Sequence, residues 1–237
     1  MDGYPYCGPA PRPADLLWSW NGDLFLLLTL AIATSVGLFA LRHAGHARRR
    51  SFTFAIGAAV IAFVSPLCAL TVALFSARAL HHLVVFGLLA PALALAFPVR
   101  RIAVAPSFLA MSAGLWLWYL PLAYSAAWDS VATYWAMQAL LILPAWAFWS
   151  AVLTERKFAH VVWLVPLVGQ MGILGAILTF AGRPFYLEHL AYAERYGLTA
   201  LQDQQLAGLV MWVPGMLPVA IAAALMAWRL LDVDARA

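Results

Sequence analysis

The sequence predicts an all-α membrane protein, a bundle of seven transmembrane helices with its N-terminus outside and its C-terminus in the cytoplasm. Three observations carry this reading. Hydrophobic residues fill 65% of the 237 positions and charged ones only 10%, with a mean hydropathy of +0.86, well outside the range of a soluble domain of that length. Seven continuous apolar runs approach or exceed the roughly 20 residues that a helix needs to cross the hydrocarbon core. Basic residues crowd into alternate loops between those runs. An outer-membrane barrel is excluded, because its strands read as alternating segments of about 10 residues rather than continuous runs.

Taken in order, the runs lie near 23–41, 52–74, 79–98, 104–124, 131–153, 158–181 and 204–228. The first pair is separated by Arg42 and Arg48-Arg49-Arg50, the third and fourth by Arg100-Arg101, and the fifth and sixth by Arg156-Lys157; Arg229 and Arg236 follow the seventh. These loops and the C-terminal tail are the cytoplasmic ones. They hold ten basic residues against four on the other side, Arg12, Arg78, Arg183 and Arg195, and the positive-inside rule then fixes the orientation. Trp18, Trp20, Trp128 and Trp135 fall at the outer interface and Trp146, Trp149, Trp163 and Trp228 at the inner one, where indole rings anchor. Trp212 lies inside the last run and reads as a packing aromatic.

The loops are short except for 182–203 and no internal repeat is present, so residues 1–237 form one integral membrane domain. Gly169, Gly172, Gly175 and Ala176 permit close helix contact in the sixth run. Pro66, Pro91, Pro144, Pro166, Pro214 and Pro218 interrupt hydrogen-bond ladders and predict kinks. The N-terminus has neither a basic n-region nor an apolar stretch before residue 23, so the first helix is expected to act as its own insertion signal. Together these features predict a multi-pass membrane protein whose immediate surroundings are lipid.

Several function classes fall away. No basic patch is interleaved with exposed aromatics, which argues against nucleic acid. The only lysine is Lys157, in a cytoplasmic loop, so no helix-seven lysine can form a retinal Schiff base. No Walker A sequence, HExxH or CxxC occurs. Ionisable residues are nearly absent from the bundle centre, where a translocation path would need them.

The polar and soft residues gather toward the outer side: Cys7, Cys68, Arg78, His81, His82, Met137, Gln138, Glu188, His189, Glu194, Asp203, Gln204, Gln205 and Met211. Burying such groups in lipid is costly unless partners satisfy them, so they mark either a site or interhelical clamps. Thiolate, thioether and imidazole are the donors that suit Cu(I), which makes Cys7, His81, His82 and Met211 the candidate metal ligands. Each also has a plain structural reading: the histidines as an interfacial pair bonding loop carbonyls, Met211 as core filler. Adjacent residues on a helix point about 100° apart, so His81 and His82 cannot both face one ligand. Arg78 is expected to pair with Asp203 or Glu188. A Cys7–Cys68 disulfide is possible on the oxidising side, but the membrane depth of Cys68 argues against it and favours a small buried hydrophobe, leaving Cys7 as ligand or redox residue. His43, His46 and His160 lie on the cytoplasmic side and read as unremarkable.

Motifs along most of the chain resemble one family. They are Tyr6-Cys7-Gly8-Pro9-Ala10-Pro11 with Trp20-Asn21, Ser65-Pro66-Leu67, Leu74-Phe75-Ser76-Ala77 running into His82-Leu83, Trp116-Leu117-Trp118-Tyr119-Leu120-Pro121, Phe148-Trp149, Gly175-Ala176-Ile177-Leu178-Thr179-Phe180-Ala181, and the run from Asp203 to Gly215. In these the chain resembles the CtaG-type assembly factors of cytochrome c oxidase, seven-helix membrane proteins named for the caa3 oxidase. The family often reads Ser-Ala-His-Met-Leu-Gln-His where this chain reads Ser76-Ala77-Arg78-Ala79-Leu80-His81-His82, and often places histidines near Tyr134 and Gln138.

The resemblance implies a non-enzymatic assembly factor for a haem-copper oxidase, with oxidase subunits or other assembly factors as partners. Joined to the outer clustering of soft residues, it gives the expectation that the protein handles Cu(I) through Cys7, His81, His82 and Met211, supported by Arg78, Asp203, Gln204, Gln205, Gln138 and His189. Two alternatives stand beside it. One is an electron carrier or enzyme holding haem between histidines such as His82 and His189; the other is a metal-free structural scaffold or oxidase-associated subunit. The topology itself is testable: a periplasmic reporter fused within 182–203 should be active and one fused after Arg236 inactive, and the reverse pattern would move the whole polar cluster to the cytoplasm.

Overall fold

The computed structural model describes residues 5–154 and 162–234. Arg156, Lys157, His160 and Arg236 therefore lie outside the described residues. A 3-10 turn, Pro13–Trp18, precedes helices α1 (Leu24–Ala40), α2 (His46–Phe63), α3 (Pro66–Ala73), α4 (Phe75–Val84), α5 (Ala90–Ala96), α6 (Val104–Trp118), α7 (Pro121–Asp129), α8 (Val131–Thr154), α9 (Leu164–Thr179) and α10 (Ala200–Asp234). A π-helical turn, Val85–Leu89, joins α4 to α5, and short helical turns over Leu187–Tyr196 order the loop before α10. The fold class is all-helical, as expected.

Helix length supports four of the seven expected crossings. Among the described residues, four segments are both long and apolar enough to span a membrane: His46–Ala73, Phe75–Ala96, Val131–Leu153 and Ala200–Leu225. Three further apolar helices occupy the places of the expected first, fourth and sixth runs, but α1, α6 and α9 have 17, 15 and 16 residues, short of the roughly 20 that a straight crossing takes. A local break shortens the fourth run, and the sixth adjoins residues outside the described ones. Asp23 caps α1 where the first expected run begins, its carboxylate accepting from Phe25 N at 2.9 Å. Leu120 turns extended before Pro121 and divides the fourth run into α6 and α7, since the residue before a proline disfavours helical backbone.

Proline and a serine cap also divide the second run. Ser65 turns extended, its hydroxyl accepts from Leu67 N at 3.2 Å, and Pro66 opens α3 at a position where no amide proton is needed. The break between α3 and α4 has no such local cap. Leu74 is extended at φ −126° and ψ 132°, and no side chain within the segment caps α4. The cap comes from α10: the Asp203 carboxylate accepts from Phe75 N at 2.6 Å, Ser76 N at 3.1 Å and Ser76 Oγ at 2.5 Å. Two orphan amides of a helix start are thereby satisfied by a charge 127 and 128 residues away in sequence.

The π turn follows from Pro91 at the start of α5, which cannot donate back along the ladder. Trp149 on α8 donates Nε1–H to the Phe86 carbonyl inside that turn at 2.9 Å. At the arginine-rich end, Arg48 Nε donates to Ala96 O and Trp146 Nε1 to Phe97 O, each at 2.9 Å. Phe75 and Ala96 lie at opposite ends of one 22-residue span, so the basic end and the Asp203 end are about a membrane thickness apart.

Helices α9 and α10 cross at their glycines. A Cβ on Gly208 would stand 2.3 Å from Thr179 Oγ1 and 2.5 Å from Gly175 O, and one on Gly175 would stand 2.9 Å from Gly208 O. Backbone meets backbone there, the contact that small residues permit in lipid. Gly208→Ala should therefore lower the thermal stability of the purified protein by about 1–3 kcal/mol, whereas Gly169→Ala, with no atom within 4 Å of the added carbon, should leave it unchanged or raise it. Equal effects in melting experiments would remove the crossing from that glycine pair.

Candidate functional site: a buried polar cluster around Arg78

Helix α4 turns three strongly polar side chains inward within two turns. Arg78 is 4% exposed, His81 0% and His82 2%, burial that such residues keep only when neighbours are built to receive them. Tyr119, Tyr124 and Tyr134 from α6 to α8, Gln138 on α8, and His189 from the 182–203 loop supply those neighbours, and all five are buried. The guanidinium carbon of Arg78 stands 5.8 Å from the Tyr124 ring centre and 5.7 Å from that of Tyr134. His82 Nδ1 meets Tyr119 OH at 3.2 Å, and His189 Nε2 meets Tyr124 OH at 2.8 Å. Burial, reinforced by the charge of Arg78, pushes the His189 imidazole down to about 3, so this histidine is neutral at ordinary pH.

The two adjacent histidines diverge, as the helix geometry requires. His81 packs edge-on to Phe63 of α2 at 5.2 Å, while His82 turns to Tyr119 at 5.5 Å. They are fully buried rather than interfacial, which corrects the reading in which they bond loop carbonyls. His82 and His189 are linked only through a row of rings: His82 to Tyr119, Tyr119 to Phe75 at 6.0 Å, and Phe75 to His189 at 5.9 Å. The 182–203 loop does fold over the bundle, and the rings of Tyr119 and Phe75 stand in the row between the two histidines.

The N-terminal segment closes one side of the cluster. Tyr6 stacks on Tyr134 at 4.7 Å, meets Trp135 at 5.1 Å, and donates its hydroxyl to Asp23 at 2.5 Å. Burial and the Asp23 carboxylate both push the Tyr6 phenol upward. Cys7 and Cys68 form a disulfide with their Cα atoms 5.4 Å apart. This corrects the expectation that membrane depth prevents it: Cys68 lies at the start of α3, next to the Ser65-Pro66 break, where the N-terminal segment reaches it. Neither sulfur is a free thiol in this state. Tyr134 OH stands 3.8 Å from Cys7 Sγ, and Asn21 Nδ2 stands 3.7 Å from Cys68 Sγ.

The expected Arg78–Asp203 ion pair is not formed. Asp203 spends its oxygens on Phe75 and Ser76, while Arg78 Nε and Nη1 have no partner. Glu188, the other candidate, accepts from Ser125 Oγ. Gln204 and Gln205 act as clamps on the loop: Gln204 Oε1 accepts from Phe185 N at 2.6 Å and its Nε2 donates to Arg183 O at 3.4 Å, and Gln205 Nε2 donates to Ala181 O at 3.4 Å.

The four expected metal ligands do not share one wall. Cys7 packs in the cluster that contains Tyr134 and Met137, whereas Met211, 1% exposed, packs with Phe75, Leu115 and Tyr119. Among the described residues no three His, Cys, Asp or Glu side chains converge to hold a metal ion. Sequence reasoning missed Ser76 and the tyrosines Tyr119, Tyr124 and Tyr186. The available signal was that a tyrosine in an apolar run must find a hydrogen-bond partner, as Tyr186 OH does by donating to Tyr119 O at 2.7 Å.

A family model described as cytochrome c oxidase caa3 assembly factor matches residues 101–232. No curated protein and no solved structure matches the chain. The matched range holds Tyr119, Tyr124, Tyr134, Gln138, His189 and Asp203, while Cys7, Cys68, Arg78, His81 and His82 precede it.

The Asp203 arrangement separates a cap from an ion pair. Asp203→Asn places amide hydrogens against the Phe75 and Ser76 donors and should lower stability by about 2–4 kcal/mol in thermal unfolding. Ser76→Ala removes one of the three bonds and should cost about 1 kcal/mol. Adding Arg78→Gln to Asp203→Asn should bring no recovery. Partial rescue by that second change would mean that the two charges are coupled after all.

Proposed function

The chain belongs to the family of caa3-type cytochrome c oxidase assembly factors, and we propose that it serves a haem-copper oxidase on the periplasmic side by carrying Cu(I) as cargo on Cys7 and Cys68. The observation that supports this reading is the direct bonding of the two sulfurs. Two electrons and two protons from a thiol reductant convert the disulfide into a pair of thiols already side by side. Loss of those protons on binding gives a soft dithiolate, the donor set that selects Cu(I). A disulfide also persists in an oxidising compartment, in keeping with the outer placement that the arginine asymmetry predicts. Met211 is too deep in the apolar cluster to serve, and the positive charge of Arg78 next to His81 and His82 disfavours a cation there.

Cargo transfer then needs no catalytic residue: oxidation state decides whether the sulfurs hold metal or each other. The position of the pair favours delivery outward. Cys7 sits in a segment tied down by the Tyr6–Asp23 bond, the Tyr6–Tyr134 stack and the disulfide itself, so reduction removes one of three tethers. A metal-free scaffold is the second reading, favoured by the lack of a three-ligand cluster among the described residues.

Anaerobic reduction of the purified protein, addition of Cu(I) and removal of excess should leave about one copper per chain by elemental analysis. The oxidised protein and Cys7→Ser should retain none, while replacement of His43 and His46 should change nothing. If the reduced wild type holds no stoichiometric copper, the scaffold reading replaces this one.

A further inference from the structure

We infer that the cluster around Arg78 is a binding site for a small anion, of chloride or carboxylate size, independent of any copper bound at the cysteines. The argument begins with charge. Arg78 is 4% exposed in the polar end of a membrane bundle, and a guanidinium stripped of water costs several kcal/mol unless a counter-charge and hydrogen bonds offset it. Among the described residues no carboxylate pairs with it. Asp203 is saturated by Phe75 and Ser76, and Glu188 is engaged by Ser125.

Unmet polar atoms, most of them N–H donors, share this end of the bundle. Arg78 Nε and Nη1, both ring nitrogens of His81, His82 Nε2 and both polar atoms of Gln138 are buried and without partners. His81 and Gln138 are 0% exposed and His82 2%. With Tyr119 OH hydrogen-bonded to His82 Nδ1, the tautomer in which Nδ1 accepts puts a proton on Nε2. The cluster is thus rich in N–H groups and carries one fixed positive charge. A cation would meet Arg78 at close range, whereas an anion answers both the charge and the donors. The flanking rings of Tyr124 and Tyr134, each within 6 Å of the guanidinium, limit the guest to a small one.

The test is thermal unfolding of the purified wild type in detergent at fixed ionic strength, exchanging a bulky organic sulfonate for chloride or for acetate. A specific site gives a melting temperature that rises and saturates with the small anion, because a ligand that binds only the folded state stabilises it by mass action. A larger or tighter acetate response assigns a carboxylate, and a larger chloride response assigns a halide. Arg78→Gln should abolish the rise, and Gln138→Leu should shift the half-saturating concentration upward about tenfold. Should Arg78→Gln fail to fold, the wild-type titration together with Gln138→Leu still decides. A wild-type melting temperature indifferent to both anions, or a saturable rise that survives in Arg78→Gln, overturns the site and leaves the donors to water.

Discussion

The carboxylate of Asp203 bonded to the start of α4 is the interaction on which the rest of the polar end depends. Helix α4 begins after an extended Leu74 with no cap of its own, in a setting where unsatisfied amides are costly. Asp203 satisfies Phe75 and Ser76 from the far end of the sequence, and in doing so fixes the axial position and rotation of α4 against α10. Arg78, His81 and His82 follow within two turns of that anchor, so their inward direction is set by it. The Gly175–Gly208 crossing brings α9 against the same end of α10, and Gln204 and Gln205 hold the 182–203 loop to α10 one and two residues beyond Asp203.

A second consequence is electrostatic. Because the Asp203 carboxylate is bonded to Phe75 and Ser76, Arg78 has no ion-pair partner among the described residues, and the groups around it respond to its charge. His189 is held neutral by burial and by that charge. Soft metal chemistry and the Arg78 cluster are therefore separate questions. The sulfurs lie with Tyr134 and Asn21, in a segment bonded to the mouth of the bundle, while the imidazoles lie on the cationic side. A single four-ligand copper site made from Cys7, His81, His82 and Met211 would have to bridge two packing clusters and approach the guanidinium.

Much of the fold was legible because composition and apolar run length report directly on a lipid environment. Run length alone does not report where helices stop. Leu120-Pro121 divides the fourth expected run through backbone chemistry rather than hydropathy. The importance of Asp203, Gln204 and Gln205 was legible for a physical reason, since polar groups at that depth need partners. Their partners were not, because a carboxylate can meet an arginine or two backbone amides equally well from the sequence, and only the break at Leu74 decides between them. The disulfide was misjudged for a similar reason: hydropathy gave the depth of Cys68 but not the Ser65-Pro66 break that lets residues 5–8 descend to it.

The family model and the N-terminal region divide the cluster between them. The matched range contributes Tyr124, Tyr134, Gln138 and His189, the groups that face the guanidinium or share its cluster, along with Asp203. The preceding residues contribute Arg78, the histidines and the sulfurs. Tyr134 is where the two parts meet, stacked on Tyr6, beside Cys7 Sγ and within reach of Arg78. Tyr134 forms one wall of the Arg78 cluster, so the sulfurs and the guanidinium lie on either side of one ring.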